Sequence, residues 1–171
     1  AHICAFSTGA VYALDFLAHS VDRAGKVILV SPGGFTNLMP FSVRMLRSRF
    51  FAPLAMATLF SERTGAQILE ACYFDLTVLN PDIVKEYLLP FSSKPAREAL
   101  VIACQNFDEL VAIEKLREIQ HPLLIMSGDS DRWHPQELIN EYANLMPTAN
   151  VMFLRNCGHF LHEEKSDRFN A

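Results

Sequence analysis

"CAFSTGAVYAL", residues 4–14, decides the fold: a short apolar run ends at Ser7, and helical periodicity begins at the next residue. The reading is a strand, "HICAF" (2–6), turning sharply into a helix, "TGAVYALDFLAHSVD" (8–22), with Val11, Leu14 and Ala18 on one helical face. Ala5 and Gly9, two residues to either side of the serine, are small, as a chain doubling back on itself requires. A serine on such a corner exposes its hydroxyl. The N–H of Thr8 would point from the start of a helix, where unpaired donors and the dipole favour negative charge. Taken alone, the same pentapeptide is also that of an ordinary serine N-cap.

Working outward, the strand design repeats. "KVILVSP" (26–32) is a continuous apolar run closed by Pro-Gly-Gly, the pattern of a strand buried on both faces. "HPLLIMSGD" (121–129) and "NVMFLRN" (150–156) follow the same plan, separated by the helical "PQELINEYANLM" (135–146). This alternation predicts the α/β class with a mostly parallel sheet. Residues 33–120 break it with a run of helical patterns: "FSVRMLRSRFFAPLAMATLF" (41–60), "GAQILEACYF" (65–74), "NPDIVKEYLLPF" (80–91), "PAREALVIACQNFDEL" (95–110) and "AIEKLREI" (112–119). The expected organisation is a strand–helix–strand core segment at 1–34, a helical insertion at 35–94, and a returning core at 95–171.

The 171 residues, 50% hydrophobic and 20% charged, suit one domain with a substantial core, and a net charge of −4 gives no general attraction to nucleic acid. No stretch approaches the roughly 18 apolar residues of a membrane span, and no secretory leader is recognisable, so a cytoplasmic compartment is expected. Cys4, Cys72, Cys104 and Cys157 lack any C-x-x-C spacing and read as buried free thiols rather than disulfides or a zinc site. The chain opens without methionine, inside a strand pattern, and closes inside a helical one, so both ends read as cut.

A nucleophilic serine needs a base and an acid to orient that base. "LLIMSGDSD" (123–131) leaves Asp131 just past the end of a strand, and "FLRNCGHFLHEE" (153–164) does the same for His159. Asp129 is the second choice for the acid. Serine, aspartate and histidine thus stand at the tips of different strands, where ligands bind in open α/β sheets.

These motifs together resemble the capped α/β-hydrolases, from the nucleophile strand onward and across essentially the whole chain. The resemblance implies a partial α/β-hydrolase fold in which the helical insertion is a cap. It implies that Ser7 is the nucleophile, Asp131 the acid and His159 the general base, with Thr8 supplying one oxyanion donor. Ala5 stands where the family usually has glycine, and Arg132 and Trp133 follow the acid where proline and an aliphatic residue are commoner. About four further strands would precede Ile3 and carry the second oxyanion donor. The chain by itself is therefore expected to be inactive and poorly soluble.

The expected substrate is a hydrophobic small molecule, lined by Phe41, Phe51 and Leu54 of the insertion and by Phe6, Trp133 and Phe160 beside the three site residues. No cofactor, metal or nucleic acid is implied. His134 and His162 read as incidental histidines, and Glu163 and Glu164 as carboxylates complementing a helix dipole. Arg44, Arg47 and Arg49 interleave with apolar residues as in an amphipathic cap helix, a membrane-surface contact being the second reading. The reaction expected is cleavage of an ester-like or activated C–C bond through an acyl-enzyme. The rivals are a non-catalytic small-molecule-binding protein on the same fold, and a haloperoxidase-like or acyltransferase activity.

Overall fold

The computed structural model of the chain describes residues 1–20, 23–33, 45–106 and 113–171. Four strands form one parallel sheet in the order β1 (Ile3–Phe6), β2 (Val27–Val30), β3 (Leu123–Gly128) and β4 (Ala149–Leu154). Helix α1 (Gly9–His19) joins β1 to β2. Between β2 and β3 lie α2 (Ala52–Leu59), α3 (Glu62–Glu70), α4 (Pro81–Leu88), α5 (Lys94–Asn106) and α6 (Ile113–Arg117). Helix α7 (Gln136–Asn144) joins β3 to β4, and α8 (Leu161–Glu164) and α9 (Ser166–Phe169) follow. The α/β class and the parallel sheet read from the sequence are the ones observed.

The apolar runs of β2 and β3 serve both faces of the sheet because successive side chains point to opposite sides. Val27, Leu29, Leu123 and Ile125 pack with Leu14 and Leu17 of α1 and Ile139 and Tyr142 of α7. Val30 and Met126 pack on the other side with Leu154, Cys157 and Leu161. Each fully buried leucine here is worth about 2 kcal/mol of transfer free energy. The register sets Phe6 beside Val30 and Val30 beside Met126, so the turns after the strands line up along one edge. That edge carries Ser7, Ser31, Asp131 and His159 of the site described below.

The chain falls into two compact units, one of Ala1–Thr36, Cys72–Asp75 and Glu109–Ala171, the other of Asn37–Ala71 and Leu76–Asp108. The first holds the sheet. In the second, Leu46, Ala52, Ala55, Leu59 and Val101 form a small core. Its helix starts are sequence-encoded: Ser61 Oγ accepts from Thr64 N at 3.2 Å, and Asn80 Oδ1 accepts from Asp82 N and Ile83 N ahead of a helix opening on Pro81. No helix among the described residues is long and apolar enough to cross a membrane.

Several local expectations change. The 41–60 pattern is helical at residues 45–47, breaks at residues 48–51 and resumes as α2, and residues 41–44 lie outside the described ones. The 65–74 pattern stops being helical at Glu70, because Cys72–Asp75 joins the sheet-bearing unit, drawn in by hydrogen bonds from His159 N to Cys72 O and from Phe74 N and Asp75 N to Glu164. Among the free cysteines, Cys72 and Cys157 are buried, but Cys4 is exposed and Cys104 is half-buried. A Cβ added to Gly9 would meet nothing within 4 Å, so the steric demand expected there is absent among the described residues.

The real steric demand sits at Gly128, at the end of β3. A Cβ there would overlap the carbonyl oxygens of both Cys157 and Gly158, which are backbone and cannot rotate away. Gly128→Ala is expected to destabilise the fold by about 3 kcal/mol, the upper end for overpacking. In a urea titration the midpoint would fall at an unchanged slope.

Candidate active site

Ser7 follows β1 with φ 50°, the left-handed region that a non-glycine residue enters only at a cost of order 1 kcal/mol. Three backbone hydrogen bonds hold it there. Ser7 N donates to Val30 O at 2.9 Å, and Ser7 O accepts from Ala10 N and Gly33 N at 3.0 Å each. The corner is thus tied both to its own helix and to the end of β2. Thr8 is the N-cap residue of α1, but its side chain makes no capping bond.

His159 Nε2 lies 3.0 Å from Ser7 Oγ, and its Nδ1 lies 2.8 Å from Asp131 Oδ2. Asp131 is fixed in turn, because its Oδ1 accepts from Trp133 N at 2.8 Å and His134 N at 3.0 Å, an Asx-type turn just beyond β3. The second carboxylate oxygen is left to face the imidazole. Burial alone would raise the Asp131 pKa; the hydrogen bond and charge of His159, with His134 beside it, more than offset this and hold the carboxyl below its usual range. Asp129 is engaged elsewhere, accepting from Ser130 Oγ at 2.9 Å and Cys157 N at 3.4 Å.

The loop that presents His159 is braced on three sides. Its N–H donates to Cys72 O at 2.6 Å, and its carbonyl accepts from Ser31 Oγ at 2.9 Å. Ser31 is fully buried, with φ 42° at the end of β2, the same kind of corner as Ser7 one strand over. Glu164 Oε1 accepts from Gly158 N at 2.7 Å, while Oε2 accepts from Phe74 N and Asp75 N at 3.0 and 2.9 Å. This carboxylate staples Cys72–Asp75 to the histidine loop, and Tyr73 Oη hydrogen-bonds Glu163 beside it. Cys72 takes no part as a thiolate, since burial, with Asp131 and Glu164 adding to it, pushes its thiol up to about 12.

Of the aromatic residues expected to line a substrate, Phe6 and Trp133 flank His159, with ring centroids 5.1 and 5.9 Å away. Phe160 lies 5.7 Å from His159 but is buried against Tyr73 and Phe6. Phe51 and Leu54 are exposed on the second unit, and Phe41 lies outside the described residues. His162 edges Phe6 at 4.9 Å.

His134, read from the sequence as incidental, is buried in the site. Its Nδ1 lies 4.0 Å from Asp131 Oδ2 and its ring 5.0 Å from that of His159. Burial, with the charge of His159 adding to it, lowers its pKa from 6.5 to about 4, against the opposing pull of Asp131 and of the Ser31 backbone. Between those pH values the unfolded chain binds a proton that the folded one does not. Stability is therefore expected to rise by about 3 kcal/mol from pH 4 to pH 6.5 and to level off above. Thermal melts across that range, wild type against His134→Leu, should show the slope flattened in the variant.

Comparison with known proteins fits this arrangement. A family model described as the alpha/beta hydrolase family matches residues 1–171. The 2-hydroxy-6-oxo-6-phenylhexa-2,4-dienoate hydrolase of Burkholderia cepacia is 28% identical, over 99% of this chain and 60% of its own length. A carboxylesterase of Bacillus subtilis is 22% identical, over 99% of this chain and 55% of its own. A solved meta-cleavage product hydrolase from Pseudomonas fluorescens superposes with a TM-score of 0.81 at 17% identity, over 99% of this chain and 61% of its own. The chain thus spans about 60% of the length of such relatives. With a parallel sheet whose turns carry Ser7, Asp131 and His159, and a family match over its whole length, this chain belongs to the alpha/beta hydrolase family.

Proposed function

We propose that the protein is a serine hydrolase that cleaves an ester-like or activated C–C bond of a hydrophobic small molecule through an acyl-enzyme. The observation that carries this reading is the unbroken hydrogen-bond chain Asp131–His159–Ser7, at 2.8 and 3.0 Å, along one edge of the sheet. Asp131 holds a proton on His159 Nδ1, which leaves the Nε2 lone pair facing Ser7 Oγ. As Ser7 attacks the substrate carbonyl, Nε2 takes its proton and then gives it to the leaving group. Water, deprotonated by the same nitrogen, cleaves the acyl-enzyme and restores the serine. The Thr8 N–H, at the start of α1, supplies one donor to the oxyanion.

Phe6 and Trp133 beside His159 suit an aromatic or apolar substrate group. The relatives named above include both a C–C bond hydrolase and a carboxylesterase, so both reaction types fall within the proposal. The test is to treat the full-length protein with a fluorophosphonate and locate the adduct by peptide mass spectrometry. An adduct on Ser7 is expected. A folded protein that takes up no probe would remove the hydrolase reading and leave a small-molecule-binding protein on the same fold. A p-nitrophenyl acyl ester and a 2-hydroxy-6-oxo-6-phenylhexa-2,4-dienoate, assayed side by side, then separate the two bond types.

A further inference from the structure

We propose that Asp131, His134 and His159 form an inhibitory site for a divalent transition cation of the zinc class. These three buried residues present ligand atoms that all lie within 4.8 Å of one another. Asp131 Oδ2 sits 2.8 Å from His159 Nδ1 and 4.0 Å from His134 Nδ1. Tetrahedral zinc, with bonds of about 2.0–2.2 Å, sets its ligands about 3.3 Å apart, so sub-ångström to ångström side-chain shifts would close the site.

The decisive feature is His134 Nδ1. It is buried without a hydrogen-bond partner and stands 4.0 Å from the Asp131 carboxylate oxygen, beyond hydrogen-bond reach. A neutral imidazole carries a single N–H, so the ring has a nitrogen lone pair to offer a cation. A buried polar nitrogen left unpaired carries an uncompensated desolvation cost. A cation between that nitrogen and the carboxylate gives both of them a bond.

The third bond comes from His159: as the metal takes Nδ1, the ring's single proton passes by way of solvent to Nε2, so a neutral imidazole ligates and Nε2 no longer has a lone pair for Ser7. Occupancy takes both the acid and the base away from Ser7. The inhibition, though not the site itself, rests on the hydrolase reading.

Zinc would be titrated by calorimetry into the full-length wild type and into His134→Leu and His134→Asn, with circular dichroism checking each fold. Fluorophosphonate labelling is followed in parallel and compared with each protein's own zinc-free rate. Wild type is expected to bind one zinc ion, to lose labelling as it does so, and to recover with EDTA. Both variants should bind at least about 100-fold more weakly, more than the 10–100-fold typical of losing an outer partner. Cobalt(II) should give wild type the visible bands of a tetrahedral site, absent from the variants. Wild type that binds no zinc, or variants that bind it equally well, would overturn the proposal. Failure of the zinc-free protein to label would sink the hydrolase reading alone, because the heat and the cobalt spectrum still decide the site.

Discussion

In the full-length hydrolase proposed above, Asp131→Asn is expected to lower turnover by about four orders of magnitude while leaving the fold intact, the loss that accompanies a wrong histidine tautomer in a serine–histidine–aspartate triad. The surroundings of Asp131 make this outcome more than an analogy. Its Oδ1 accepts two backbone N–H groups, from Trp133 and His134, and a side-chain amide can accept there only with its oxygen. The NH₂ of asparagine is therefore forced into the Oδ2 position, facing His159 Nδ1. The imidazole must then accept at Nδ1 and carry its proton on Nε2, pointing at Ser7 with no lone pair to offer. Steady-state rates for wild type and variant, alongside melting curves, check both halves of the prediction. A loss smaller than tenfold would mean that another group orients His159.

Acid should act through the same carboxylate. Because the folded pKa of Asp131 lies below the unfolded value of about 3.9, its stabilisation is complete above that pH and is lost as pH falls through the folded value.

Much of this site is legible in the sequence because each principal residue ends an apolar run. Ser7, Asp131 and His159 all fall where a strand pattern stops, and the parallel order of the strands does the rest. What is not legible is whatever depends on the backbone of distant segments meeting. Glu164 reads as a dipole complement, yet its carboxylate bridges Gly158 to Phe74 and Asp75, a contact across 90 and 89 residues that no local pattern encodes. Gly128 and Gly158 matter because backbone passes over them, whereas Gly9, the obvious motif glycine, has open space. Ser31 was visible in principle: it ends a strand run just as Ser7 does, and shares its left-handed φ. The burial of His134 follows from the Asx turn at Asp131, which carries the ring inward three residues later. Spacing alone does not separate that outcome from an exposed side chain.

In the same full-length hydrolase, Ser7→Ala is expected to cost about 10⁶ in turnover, the scale on which losing the nucleophile of such a triad is measured. The backbone at this corner does not depend on the hydroxyl. Its three hydrogen bonds run from Ser7 N and to Ser7 O, so alanine inherits the same φ near 50° with the same contacts. Folding should be nearly unchanged, which makes the activity loss attributable to Oγ. Glycine gives a sharper test. Ser7→Gly removes Oγ as well, but it also removes the Cβ that makes a left-handed residue unfavourable, a relief of about 1–2 kcal/mol, set against about 0.5–1 kcal/mol of added chain entropy in the unfolded state. Ser7→Gly should therefore melt at or above Ser7→Ala while being equally inactive. That pairing is what a strained nucleophile predicts, since the conformation is imposed by the β2 contacts at the expense of local comfort. If glycine melts clearly below alanine, the corner is not strained and its geometry has another cause. If either variant keeps more than about a thousandth of wild-type turnover, the reaction does not pass through an acyl group on Ser7, because oxyanion donors and binding alone leave far less.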